Sequence, residues 1–282
     1  MLIKLALPGF DPLALTTLRL WLAAALLGVF AVLAGQAGRI VPRDFALVVV
    51  AGVFGNALPF FLIAWGEKTA GAGLAAILMG LMPISTLVIA HFLTNDEPLT
   101  ARRLSGVLIG FAGLAVLTGP ALLSHLGEGT AHLAILPAAL SSGSTAVIPR
   151  RILHLPRLLL ASLLLFVGAV LITPVALLAG EVRESASWTP VVALMILAIL
   201  PTGLASLLMF KLIERQGAGF FGQVNLLVPV AGVGWAFLIL GEEPQPRAVA
   251  ALALILIGVA IARGKATHNV NASILPSKER KP

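Results

Sequence analysis

Residues 71–98 read GAGLAAILMGLMPISTLVIAHFLTNDEP, and residues 217–244 read GAGFFGQVNLLVPVAGVGWAFLILGEEP. The two stretches align without a gap at an offset of 146 positions. Gly71-Ala72-Gly73 falls on Gly217-Ala218-Gly219, Pro83 on Pro229, Ala90 on Ala236, and Glu97-Pro98 on Glu243-Pro244. Self-similarity at about half the chain length marks a duplicated structural unit. In an apolar chain such a duplication points to two halves that meet around a solute site near the bilayer midplane.

The composition supplies the apolar chain. Of 282 residues, 59% are hydrophobic and 11% charged, where a soluble domain carries about 25% charged residues. Spanning the hydrocarbon core takes roughly 20 apolar residues as a helix. Backbone amides find no water in lipid, so the choice is between helices and a closed barrel. Continuous apolar runs, not alternating ten-residue strands, decide for helices. With no cysteine, disulfides, thiolate chemistry and Cys-ligated metals drop out. The net charge of +7 is scattered through short loops, so it does not read as a nucleic-acid surface.

Breaks at Pro, Gly and charge clusters leave nine predicted spans, at about 11–34, 44–65, 71–93, 100–119, 131–148, 156–179, 189–212, 218–240 and 247–263. The positive-inside rule tests the count. It puts Arg39, Arg43, Arg102, Arg103, Arg150, Arg151, Arg157, Lys211, Arg215, Arg263, Lys265, Lys278, Arg280 and Lys281 on one side. Only Lys4, Lys68, Arg183 and Arg247 fall on the other, and Arg19 lies within a span. Removing 131–148, the weakest span, would scramble this partition. The expectation is a multi-pass protein of the inner (plasma) membrane with a cytoplasmic C-terminus. Shifted back by the repeat offset, span 131–148 lands ahead of Met1, and Ile3-Lys4 falls on Pro149-Arg150. The expected architecture is therefore all-α, a polytopic bundle of two inverted five-helix repeats whose first helix is missing. The boundaries are 1–124 and 125–263, with a polar, basic, disordered tail at 264–282.

The run Ile3-Lys4-Leu5-Ala6-Leu7, then Phe10-Asp11-Pro12 and Leu18-Arg19, resembles the first segment of the EamA family of the drug/metabolite transporter superfamily. The order Gly-Ala-Gly, mid-helix Pro, Glu-Pro and Gly-rich helix (Gly106, Gly110, Gly113; Gly258) resembles both EamA repeats, over about residues 3–263. The resemblance implies ten helices in two inverted repeats, a central cavity, and export of amino acids or other metabolites. It implies no cofactor.

Polar groups deep in apolar spans are the candidate site, because an unpaired polar side chain in hydrocarbon costs several kcal/mol. Gly222, Asn225, Pro229 and Gly232 are spaced to share one helix face. Their repeat partners Ala76, Met79, Pro83 and Thr86 share the equivalent face. These two faces are expected to line the cavity, with kinks at Pro83 and Pro229. The alternative is close packing through small residues. Asn56, Pro59 and Phe60 on 44–65, Ser141, Ser144 and Thr145 on 131–148, and Pro201, Thr202 and Ser206 on 189–212 complete the set. Hydroxyls also bond back to their own helix.

Asp11 is expected to cap its helix with Pro12 at the first helical position. Arg19 is read as snorkelling to the outer surface or pairing with Glu67. Glu97 and Glu243 are read as helix-connection salt bridges to the arginines that follow them. No acidic residue sits at mid-membrane, which favours a uniporter over proton coupling. The five histidines lack metal-ligand spacing. The partners expected are a small-molecule substrate and the lipid bilayer. An intramembrane enzyme would need a mid-depth catalytic cluster, which the sequence does not display, and a non-transporting membrane scaffold or subunit is the remaining alternative.

Overall fold

The structure, a computed structural model, describes residues 2–36, 38, 41–68, 78–95, 97–118, 131–182, 187–227, 231 and 246–262. Among these the chain is helical, with one isolated antiparallel bridge between Phe10 and Val182. In chain order the helices are α1 (Leu2–Ala6), α2 (Pro12–Leu33), α3 (Pro42–Gly66), α4 (Met82–Leu93), α5 (Ala101–Thr118), α6 (Ala131–Val147), α7 (Arg157–Ala179), α8 (Thr189–Gln216), α9 (Ala218–Val224) and α10 (Pro246–Ala262). Among the described residues α2, α3, α7 and α8 are long and apolar enough to cross a membrane.

The start of α2 follows from its sequence. Asp11 Oδ1 accepts the Ala14 N–H at 2.7 Å, and Pro12 takes the first turn, where its missing N–H would have had no helical partner. The second carboxylate oxygen, Oδ2, accepts the Glu181 N–H at 2.7 Å, so one side chain ties α2 to the end of α7.

Helices from corresponding spans of the two halves pack against each other: α2 on α7, α4 on α9 and α5 on α10. The α5–α10 contact brings backbone against backbone. A Cβ on Gly258 would sit 2.5 Å from the Gly106 carbonyl oxygen and the Gly110 nitrogen, and one on Gly106 would sit 2.5 Å from the Ala262 nitrogen. Only glycine lets two backbones approach that closely. The main core gathers Leu20, Ala23, Ala24 and Leu27 of α2 with Leu160, Ala161, Leu164 and Leu165 of α7 and Phe210 of α8. Helix α7 leaves Leu171, Val175, Leu177 and Leu178 exposed, as a helix facing lipid does.

Candidate functional site

Two wide turns of π-helix interrupt the long helices, Val53–Ala57 in α3 and Ile199–Leu204 in α8. They start 146 positions apart. Such bulges are rare and concentrate at functional positions. Proline accounts for the carbonyls they free. Pro59 has no N–H for the Gly55 carbonyl, and Thr145 of α6 donates to that oxygen instead, at 2.7 Å. Pro201 likewise leaves the Leu197 carbonyl free, and the Thr202 hydroxyl donates to it at 2.7 Å. Asn56, the repeat partner of Thr202, donates from Nδ2 to the Ala51 carbonyl at 3.3 Å. Asn56 and Thr202 are both buried, and Ser206 donates to the Thr202 carbonyl at 2.6 Å.

Arg19 reaches one of these turns. The sequence reading sends it to the outer surface or to Glu67, and the structure does neither. Its side chain is buried, at 9% exposure, and Nε donates to Thr202 Oγ1 at 2.5 Å. The guanidinium carbon lies 4.1 Å from the centroid of the Phe60 ring, a cation–π distance. Helix α2 packs on α3 and on the α8 turn, which brings Phe60 and Thr202 beside the Arg19 side chain. Thr202 thus donates its hydroxyl hydrogen to Leu197 and accepts from Arg19, which uses both capacities of the group. Phe60, Thr202 and Arg19, from three helices, meet at one point.

The span predicted at 71–93 is broken. Leu78 and Met79 are helical and half-buried, residues 80–81 turn, and α4 begins anew at Met82. Pro83 therefore does not kink a continuous helix; it occupies the first turn of α4, where no intrahelical donor is lost. In the other half α9 gives way to a 3₁₀ turn at Asn225–Leu227, the positions equivalent to 79–81. Thr86 is fully buried and donates to the Met82 carbonyl at 2.8 Å. A Cβ on Gly222 would meet Thr86 Cβ at 3.1 Å, so α4 and α9 touch here. Ser141 is half-buried and donates to the Ala138 carbonyl. Pro229, Gly232 and Ala76 lie outside the described residues, as do Glu243 and the tail 264–282.

At the opposite end Glu97 joins segments far apart in sequence. Its buried carboxylate accepts the Ala218 N–H at 2.8 Å, the Gly219 N–H at 2.6 Å and Arg150 Nη1 at 2.5 Å. Gly217 makes this approach possible. Its φ is +88°, and a Cβ there would collide with Glu97 Oε1. A carboxylate at the first turn of α9 also faces the positive end of the helix dipole. The salt bridge expected to the following arginines is replaced by this longer-range tie, because Arg103 turns to the Pro98 carbonyl. Arg157 and Glu214 form a further ion pair, and His154 Nε2 lies in hydrogen-bond contact with Asp44 Oδ2 at 3.1 Å.

Glu67 lies one residue past α3, and among the described residues it has no ion pair with Arg19. Burial pushes its carboxyl above the ordinary carboxylate range, against the pull of surrounding cationic groups that include Lys4 and Arg19. Its Oε2, with the Thr16, Thr17 and Gln223 oxygens, is buried without a hydrogen-bond partner. Sequence reasoning passed over Thr16 and Gln223, although an amide in an apolar span is the same signal that picked out Asn225. A groove of about 510 Å³ between α2 and α7, lined by Trp21, Ala24, Gly28, Ser162 and Phe166 among others, holds none of the candidate residues.

Residues 1–119 and 129–264 match the EamA-like transporter family, and the chain belongs to that family. It is 28% identical to a probable terminal-alkyne amino-acid exporter of Streptantibioticus cattleyicolor, over 91% of this chain and 86% of that protein. It is 26% identical to a probable amino-acid metabolite efflux pump of Salmonella typhimurium, over 92% of this chain and 88% of that one. An uncharacterized transporter of Archaeoglobus fulgidus is 24% identical over 92% and 91% of the two chains. A solved crystal structure, 23% identical, superposes with a TM-score of 0.70 over 90% of this chain and 88% of its own, and so shares the fold.

Proposed function

We propose that this member of the transporter family exports a small amphipathic metabolite such as an amino acid, by alternating access of two inverted halves in the inner membrane. The observation that carries the reading is the pair of π-turns. Each breaks a long helix at the same place in its half, and each holds a buried polar side chain, Asn56 or Thr202, on the carbonyl five residues back. The pairwise packing of α2 with α7, α4 with α9 and α5 with α10 supports two copies of one module around a shared axis. The Glu97–Arg150 contact supports a common cytoplasmic end for the loops that bear the basic residues. Nine spans with the C-terminus inside remain the count those charges favour.

The solute path runs between the π-turns and the two helix breaks. Asn56, Phe60, Thr202 and Ser206 face it from one pair of helices, and Met79 and Pro83 from the other, with Asn225 and Pro229 assigned to it by their place in the repeat. Thr86 supports the second pair, while Ser141 and Thr145 border the path from α6. The probable terminal-alkyne amino-acid exporter and the probable amino-acid metabolite efflux pump among its relatives favour an amino acid or a derivative as cargo. Proteoliposomes preloaded with the twenty L-amino acids test this. Protein-dependent, saturable release that falls in Asn56→Leu and Thr202→Val supports the reading. Absence of protein-dependent release favours a non-transporting scaffold.

A further inference from the structure

We propose that Arg19 is the anion anchor of the solute path, a fork that takes the carboxylate of the transported amino acid. The proposal rests on the transport reading above and adds to it the group that recognises the substrate.

A guanidinium carries five N–H donors. The Nε–H of Arg19 is committed to Thr202, while the four on Nη1 and Nη2 have no hydrogen-bond partner among the described residues. The geometry fixes where they point. Thr202 cannot rotate its lone pair away, because its hydrogen is held by the Leu197 carbonyl, and Phe60 covers one face of the guanidinium plane. The guanidinium is therefore oriented at its Nε edge and one face, and its terminal donors make no hydrogen bond among the described residues. A planar pair of donors matches a carboxylate in bidentate fashion.

No protein carboxylate among the described residues fills that place. Glu67 senses the Arg19 charge but forms no ion pair with it among the described residues, and Asp11 is committed to the Ala14 and Glu181 amides. A second polar group accompanies the fork. Thr16, one turn before Arg19 and on the same side of α2, is 1% exposed, and its hydroxyl has no partner among the described residues.

Packing does not require the charge. The repeat partner of Arg19 is Leu165, buried at 1% exposure in the same part of α7. One copy of the module thus packs with leucine where the other holds an arginine. A charge within a span is costly and is kept where it pairs or works, and Arg19 departs from its partner helix where the π-turn of α8 presents Thr202.

The test uses the full chain in proteoliposomes preloaded with the twenty L-amino acids, and in parallel with their α-carboxamides. Thermal unfolding in detergent with the same compounds reads binding. The expected result is release of acids but not amides by the wild type, and a thermal shift with acids alone. Arg19→Leu, which copies position 165, loses both by about tenfold or more, the value of a charge-assisted contact. Arg19→Lys, which keeps the charge without the fork, falls between. If the wild type releases amides as fast as acids, or Arg19→Leu releases acids at the wild-type rate, the anchor is overturned and transport stands. If the wild type neither binds nor releases any acid, amino-acid transport fails and the anchor fails with it.

Discussion

Replacing Glu97 by alanine tests how the end of the bundle that carries Glu97 and Arg150 is held. The carboxylate is buried at 6% exposure, while the Arg150 side chain is 21% exposed, so the pair is only partly screened. Its removal leaves the Ala218 and Gly219 amides without this acceptor and takes a buried carboxylate away from Arg150. Losing one partner of a buried charge pair costs about 3–5 kcal/mol, while losing a helix cap alone costs about 0.5–2 kcal/mol. The first figure governs here because three donors converge on one group. At roughly 2–4 °C per kcal/mol for a chain near this size, the melting temperature in detergent should drop by about 10 °C. Arg150→Ala should cost little more in the Glu97→Ala background, since coupled residues are not additive. A melting temperature within 2 °C (an order-of-magnitude bound on surface changes) for Glu97→Ala would refute the reasoning.

Three further outcomes follow from single contacts. Glu67 binds its proton more tightly folded than unfolded, so the wild type loses stability as pH rises through the folded value; Glu67→Gln should melt above the wild type at pH 8 and level with it at pH 4. Gly258→Val places a side chain where a Cβ already meets the Gly106 carbonyl at 2.5 Å, and thermal unfolding should show a loss of at least about 1–3 kcal/mol. Asn225→Leu should abolish amino-acid release while leaving expression intact, and wild-type flux from that variant removes Asn225 from the site.

Much of the helical frame was legible because apolar length and caps are local signals. The Asp11-Pro12 start of α2 needed no tertiary information, and α2, α3, α7 and α8 lie within a few residues of the apolar stretches that announced them. The offset read from 71–98 and 217–244 also separates the starts of the two π-turns, though the sequence reading did not pair those positions. Asn56 and Thr202 were picked out for their depth, yet the turns themselves were not foreseen. A π-turn depends on which hydroxyl reaches a carbonyl freed by proline, and Thr145 arrives at Gly55 from another helix. The fate of Arg19 was misread for the same reason, since its partners Thr202 and Phe60 lie 183 and 41 positions away. Glu97 was tied to the nearest arginines, whereas the α9 amides that it caps come from the other half of the chain.

The central claim is that two copies of one helical module sit in opposite senses across the bilayer. The chain has no cysteine, so single cysteines can report sidedness directly. Arg102→Cys and Arg151→Cys should react with a membrane-impermeant maleimide only from the cytoplasmic face, and Lys68→Cys and Ser187→Cys only from the outer face. Labelling of the Arg102→Cys and Arg151→Cys variants from opposite faces would contradict the inverted arrangement and the transport reading built on it.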